Sequence, residues 1–284
     1  MKNVIIYLVR STEGSIRNLV RSIEFLQKNF LPWSPADILV FHEDGFDQES
    51  TLSRLPKGLS VLFAKVDFAP VHPGMENLSR GQKGYRHMCH FFANDIFERS
   101  ELAEYDYYMR LDEDSFILSP LPFNLFEKMA REGLKYVYRL EMNEKKSVSH
   151  GLIATAEAFF AANPRFNIAK PRIRRQKLYY TNFEVGNLRW FRAKGWQRYF
   201  AAIDATGGIW RRRWGDAPIR WLGLQYLLKP EEMYCLKKMK YFHQFMLHSG
   251  FSFRLPHDYL RYGLIILIDN VQRTLAKRFR KMIK

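Results

Sequence analysis

The first forty residues leave few folds open. Val4 to Val9 is an unbroken apolar run of strand length, and Arg10 to Ser15 is a polar loop. Ile16 to Phe30 then places Ile16, Leu19, Val20, Ile23, Leu26 and Phe30 at helical spacing. Ala36 to Phe41 is a second apolar strand, ending in His42-Glu-Asp-Gly. A strand that is apolar throughout must be covered on both faces, as in a parallel sheet between layers of helix. Strand, helix, strand in that order predicts an α/β protein. Further strand-like runs follow at Leu59 to Val66, Tyr107 to Leu111 and Lys135 to Leu140. Helical segments are expected from Tyr85 to about Phe97, Asn124 to Glu132, His150 to Ala162 and Ile219 to Leu228. There is no internal repeat.

Tyr107 to Leu111 is the strand whose end carries chemistry. It stops at three consecutive acids, Asp112, Glu113 and Asp114. Charge at the carboxyl end of a core strand is costly unless something pairs with it, and in open α/β sheets that edge is where ligands bind. Asp112 and Asp114 are spaced to converge on one divalent cation, and hard oxygen donors suit Mg²⁺ or Mn²⁺. Taken alone, such a cluster reads first as a solvated turn. Arg10, at the end of the first strand, is placed for a phosphate or a base edge. Tyr85, Arg86 and His87 fall where a helix is expected to open, so that free N–H groups and the helix dipole favour anions. Glu184 lies among aromatics, an environment that raises a carboxyl pKa or demands a partner. Asp216 follows Gly215 ahead of a helix, a common capping position. His243 stands in the aromatic segment Lys240 to Phe245.

Among 284 residues, 47% are hydrophobic and 15% aromatic, which describes a folded chain with an ample core. Lys and Arg outnumber Asp and Glu by 45 to 29, a net charge of +16, so a polyanion is expected nearby: nucleic acid, anionic lipid or a phosphate-bearing substrate. Cys89 and Cys235 are expected as buried thiols, and no zinc spacing is present. The opening apolar run is too short for a signal peptide or a membrane span, which leads to the expectation of a cytoplasmic chain without leader or anchor. Pro164 to Lys177 reads as a basic surface loop. In the tail, Leu264, Ile268, Val271, Leu275, Phe279 and Met282 share a helical face, with Arg273, Lys277, Arg278, Arg280, Lys281 and Lys284 around it. A basic amphipathic helix over 257–284 suits peripheral contact with an anionic membrane, or packing on the domain.

Several blocks are specific in combination: Tyr85-Arg-His-Met-Cys89, Tyr107-Tyr-Met-Arg-Leu-Asp-Glu-Asp114, Asn182-Phe-Glu-Val-Gly-Asn187, Tyr199-Phe200, Gly207-Gly208 and Arg213-Trp-Gly-Asp-Ala-Pro218. In order and separation the chain from Lys2 to about Ser249 resembles glycosyltransferase family 15, the fungal α-1,2-mannosyltransferases. The resemblance implies a GT-A-type, Rossmann-like nucleotide-sugar transferase fold with a mixed central sheet flanked by helices. It implies one catalytic domain over 1–256, with a nucleotide-binding half to about 118 and an acceptor-binding half after it. The activity implied is transfer of mannose from GDP-mannose to a glycan or glycolipid hydroxyl, with Mn²⁺ (or Mg²⁺) and retention of configuration. Asp112 and Asp114 fall on the family's Glu-Pro-Asp motif at the metal–diphosphate site, here changed to Asp-Glu-Asp. His243 matches a metal-ligating histidine, and Glu144, or else Glu141, another acid near the metal. Glu184 matches a carboxylate near the reacting sugar, Tyr85 a tyrosine near the anomeric carbon, and Asp216 an acid on the acceptor side. Arg10 matches an arginine of the nucleotide loop, and Arg86 is a second candidate for the phosphates. The resemblance starts without the family's N-terminal anchor and stem, in line with the expectation of a chain that is not anchored in that way. The alternatives are a retaining transferase using another sugar nucleotide, and a nucleic-acid-binding or metal-dependent nuclease domain. On the family reading no nucleic-acid partner is expected.

Overall fold

A computed structural model describes residues 1–244 apart from Ala69, together with the backbone of Met246–His248. The tail expected as a basic helix lies outside the described residues. The strands in chain order are β1 (Asn3–Val9), β2 (Asp37–His42), β3 (Val61–Lys65), β4 (Tyr107–Leu111), β5 (Ser115–Ile117), β6 (Tyr136–Tyr138), β7 (Glu141–Asn143), β8 (Lys177–Tyr179), β9 (Phe183–Asn187), β10 (Met233–Cys235), β11 (Tyr241–His243) and β12 (Met246–His248).

Seven of them form the central sheet in the order β10-β6-β9-β4-β1-β2-β3. The pairs β4–β1, β1–β2, β2–β3 and β6–β10 are parallel, whereas β9 runs antiparallel to both β4 and β6. The sheet is therefore mixed, and it continues across residue 118 without a break. Alternate side chains divide the core. Val4, Ile6, Leu39, Tyr108 and Tyr136 pack on one face. Ile5, Tyr7, Ile38, Val40, Met109 and Val185 pack on the other. The unbroken apolar reading of β1 follows from this: it is central and covered twice.

The helix after β1, Glu13–Asn29, is capped by Thr12 and buries Leu19, Ile23 and Leu26. The helix expected to open at Tyr85 begins instead at Arg80, where Ser79 and Gln82 form a reciprocal capping box. Tyr85, Arg86 and His87 are therefore inside a helix, and its first-turn N–H groups are not theirs to offer. A π-turn over Phe91–Asp95 follows. No helix of the described residues is long and apolar enough to cross a membrane. Cys89 is buried and Cys235 half-buried, both as free thiols.

Candidate active site

The tip of β4 is folded back on itself. The N–H of Asp112 donates to the Asn182 carbonyl, and the Ser115 N–H donates to the Asp112 carbonyl at 3.0 Å, closing a four-residue turn. Antiparallel pairing of β11 with β5 sets His243 opposite Ser115. Donor atoms of Asp112, Asp114 and His243 consequently lie within 4.8 Å of one another. His243 Nδ1 is 3.0 Å from Asp114 Oδ1 and 3.1 Å from Ser115 Oγ, and the Tyr180 ring meets the imidazole edge-on. Burial alone would push the His243 pKa down, but Asp114, with Asp112 and Glu113, more than reverses this and raises it. Between the two aspartates, Glu113 is pushed up to about 7 by burial and by Asp114 and Asp112, against the pull of Arg10. Arg10 reaches Glu113 at 3.8 Å and is otherwise exposed. Two carboxylates, an imidazole and a crowd of negative charge fit a divalent cation of the Mn²⁺ or Mg²⁺ kind.

Behind this cluster, Arg110 organises the site. Its Nε donates to Asp112 Oδ1 (3.1 Å), its NH1 to Asp216 Oδ2 (2.6 Å), and its guanidinium lies 3.6 Å from the centre of the Phe92 ring. Burial works against this charge; Asp112, Asp216 and Glu184 more than reverse it and hold Arg110 protonated. Asp216, the first residue of the helix Asp216–Leu227, also accepts from Thr181 Oγ1 at 2.8 Å. The motif Arg213 to Pro218 thus brings its aspartate to β4 through an ion pair. The signal for Arg110 was present in the sequence: it is the one charge inside an apolar strand, and a buried charge needs partners.

Glu184 sits on β9 opposite Arg110, in register with it. It is 0% exposed, bonded through Oε2 to Arg220 Nε (3.1 Å) and the Tyr136 hydroxyl (2.7 Å), and through Oε1 to the Tyr108 hydroxyl (3.1 Å). Arg220, also 0% exposed, is enclosed by the rings of Phe97, Phe191 and Trp196. The expected alternative, a carboxylate with a partner, is the one that holds, and that partner was missed by sequence reasoning. Tyr85 is half-buried beside Gly215, with Arg213 stacked 4.6 Å over its ring. Burial, then Cys89 and Asp216, raise the pKa of its hydroxyl.

Two expected ligands are elsewhere. Arg86 is 7% exposed and donates from Nε to the Trp210 carbonyl (2.7 Å) and from NH1 to the Gln82 carbonyl, so it braces two elements. Glu144 is not in the cation cluster; its carboxylate accepts the N–H of Lys145 at 2.6 Å. Its alternative, Glu141, is held by Trp221 Nε1 and Lys177.

A mixed sheet with acids and an imidazole gathered at the tip of its central strand has the architecture of the GT-A glycosyltransferases. Among solved structures, the chain superposes on core-mannan synthase A (CmsA/Ktr4) of Aspergillus fumigatus in its Mn/GDP form, with a TM-score of 0.77 and 19% identity over 90% of this chain and 78% of that one. The mannosyltransferase Ktr4p of S. cerevisiae in complex with GDP gives 0.78 and 20% over 90% and 74%. A family model described as glycolipid 2-alpha-mannosyltransferase matches residues 73–252, more than half of the chain. The chain belongs to that family. The probable mannosyltransferase YUR1 of Saccharomyces cerevisiae is 29% identical over 57% of this chain and 44% of its own length. Glycolipid 2-alpha-mannosyltransferase 1 of Candida albicans is 27% identical over 57% and 40%. The chain thus spans less than half of either relative.

Proposed function

We propose that this chain transfers mannose from GDP-mannose to a hydroxyl of a glycan or glycolipid, retaining the anomeric configuration and forming an α-1,2 type of linkage, with Mn²⁺ or Mg²⁺. The observation that carries the reading is the convergence of Asp112, Asp114 and His243 at the end of β4 in a chain of this family. Those three residues would hold the cation, which when bound neutralises charge on the leaving diphosphate. Arg10, exposed at the end of β1, reaches the phosphates from solvent. Arg110 orients Asp112 and Asp216 together. Asp216 and Tyr85 stand at the acceptor end: Tyr85 faces the reacting sugar, and Asp216 aligns the incoming hydroxyl or takes its proton. Both oxygens of Glu184 already accept hydrogen bonds, so we assign it a role in steadying cationic charge from beneath the site and not in forming a covalent bond.

The test is release of GDP and transfer of label from GDP-mannose, with UDP-sugars and GDP-fucose as competing donors. Mn²⁺-dependent GDP release that disappears in Asp114→Ala is expected. Turnover undiminished in that variant, or indifferent to chelation of metal, overturns the reading. Trapping of a mannosyl adduct on Glu184 would overturn the role given to that residue alone.

A further inference from the structure

We propose that the acceptor is anionic: a glycan carrying phosphate, seated on a rim of arginines formed by Arg172, Arg174 and Arg175 on one side and Arg212 on the other. This rests on the transferase reading above and names the acceptor class for it. The loop from Pro164 to Lys177 carries Arg165, Lys170, Arg172, Arg174, Arg175 and Lys177 and no acid. Residues 211–213 are three consecutive arginines, all exposed.

The two runs are joined through the structure. Gln176 is buried and donates to the Pro218 carbonyl, two residues beyond Asp216, and its own carbonyl accepts the N–H of Glu144. The segment from Glu144 leads to Gly151, where a Cβ would stand 2.7 Å from Arg212 NH1, so that guanidinium lies directly on the Gly151 backbone. Arg213 adopts a left-handed φ of 64°, uncommon for a residue with a Cβ. That turn sends Arg213 over Tyr85 and Arg212 toward Gly151. The rim therefore borders the acceptor end of the site.

Several cations elsewhere on the surface are paired. Arg54 meets Glu13, Arg99 meets Glu101, Arg131 and Lys128 meet Glu132, and Lys65 meets Asp44. Among the described residues none of Arg172, Arg174, Arg175 and Arg212 has a carboxylate within 4.0 Å. Like charges held together without counterions repel, and a bound anion relieves that cost. All four are arginines, whose planar fork pairs bidentately with phosphate. Ile168, exposed on the same loop, makes a lipid headgroup the rival source of phosphate.

The test is a binding measurement by calorimetry on the full chain with Mn²⁺ and GDP. The probes are a neutral oligomannoside and the same oligosaccharide bearing one 6-phosphate. Tighter binding of the phosphorylated probe by about tenfold at low salt is expected, equivalent to about 1.4 kcal/mol. That advantage shrinks at high salt and is lost in Arg172→Gln/Arg174→Gln/Arg175→Gln and reduced in Arg212→Gln. Equal affinity for the two probes, or an advantage that survives the triple variant, overturns the proposal. So does capture on phosphatidylcholine–phosphatidylserine vesicles that is lost in the triple variant while the phosphorylated glycan gains nothing. Because binding is read without turnover, a preserved phosphoglycan preference with no GDP release removes the transferase reading and supports the rim. Transfer to neutral glycans with no preference does the reverse.

Discussion

Replacing Arg220 by Met should be among the most damaging single changes this fold can receive. The Arg220–Glu184 pair is 0% exposed on both sides and closed at 3.1 Å, with two tyrosine hydroxyls on the same carboxylate. Methionine fills much of the volume between Phe97, Phe191 and Trp196, so the cavity term is small. What remains is a carboxylate left without its cation in a closed interior, and breaking a buried pair in this way costs about 3–5 kcal/mol. At about 2–4 °C per kcal/mol the melting temperature should fall by roughly 10 °C. The assay is urea unfolding followed by far-UV circular dichroism, with an unchanged m-value as the check that the unfolding transition is the same one. In Glu184→Gln/Arg220→Met the charge is gone, and at least half of the loss should return. A single variant that costs less than about 1 kcal/mol, or a double variant as poor as the sum of the two singles, refutes the reasoning.

Three other outcomes follow from the geometry. Asp114→Asn and His243→Ala should each weaken Mn²⁺ binding by more than about tenfold by calorimetry. Gly186→Ala puts a methyl into the Tyr108 ring and 2.6 Å from Phe191, so it should cost about 1–3 kcal/mol in urea unfolding despite adding only one carbon. His90 is pulled down by burial but raised overall, to about 9, by Asp204 and Asp95, at 3.1 and 2.7 Å. A raised histidine pKa stabilises the fold fully below its ordinary value of 6.5 and loses that contribution as pH climbs through about 9. Melting temperature should therefore decline across that window, and the decline should flatten in His90→Asn.

The α/β frame was legible because it depends on patterns that short-range reading captures. β1, β2 and, apart from Arg110, β4 are apolar runs, and their neighbours cover them on both faces. Boundaries were less legible where polar caps decide them. The helix of Tyr85 starts at Arg80 because Ser79 and Gln82 satisfy its first N–H groups, and neither residue stands out by hydrophobic spacing. β9 was not foreseen as a strand: Phe183 to Asn187 contains a glutamate and a glycine, and both are there for the sake of neighbours outside the strand. The glutamate meets Arg220, and the glycine makes room for Tyr108 and Phe191. Within the cation cluster, Asp112 and Asp114 were visible as a local motif. His243 joins them only through the pairing of β11 with β5, which no local pattern encodes; its family resemblance supplied it. The contact of Arg86 with the Trp210 carbonyl was not legible either, because an arginine beside a tyrosine motif looks the same whichever group it meets.

The charges sort themselves into two fields with opposite tasks. At the tip of β4, Asp112, Glu113 and Asp114 follow one another, and the exposed Arg10 reaches Glu113 only at 3.8 Å. Arg110 engages Asp112 through Oδ1 and so fixes the position of that carboxylate beside Asp114 and His243. The three side chains are thus held together by contacts within the protein itself. At the start of the helix that begins at Asp216 the balance reverses, since Asp216 is already held by Arg110 and Thr181 while Arg212 and Arg213 are exposed. Arg110 is the joint between the two fields. Any movement of the helix Asp216–Leu227 against β4 must break a 2.6 Å ion pair at 3% exposure, so the two ends of the site are fixed to one another by that side chain and not by the sheet alone.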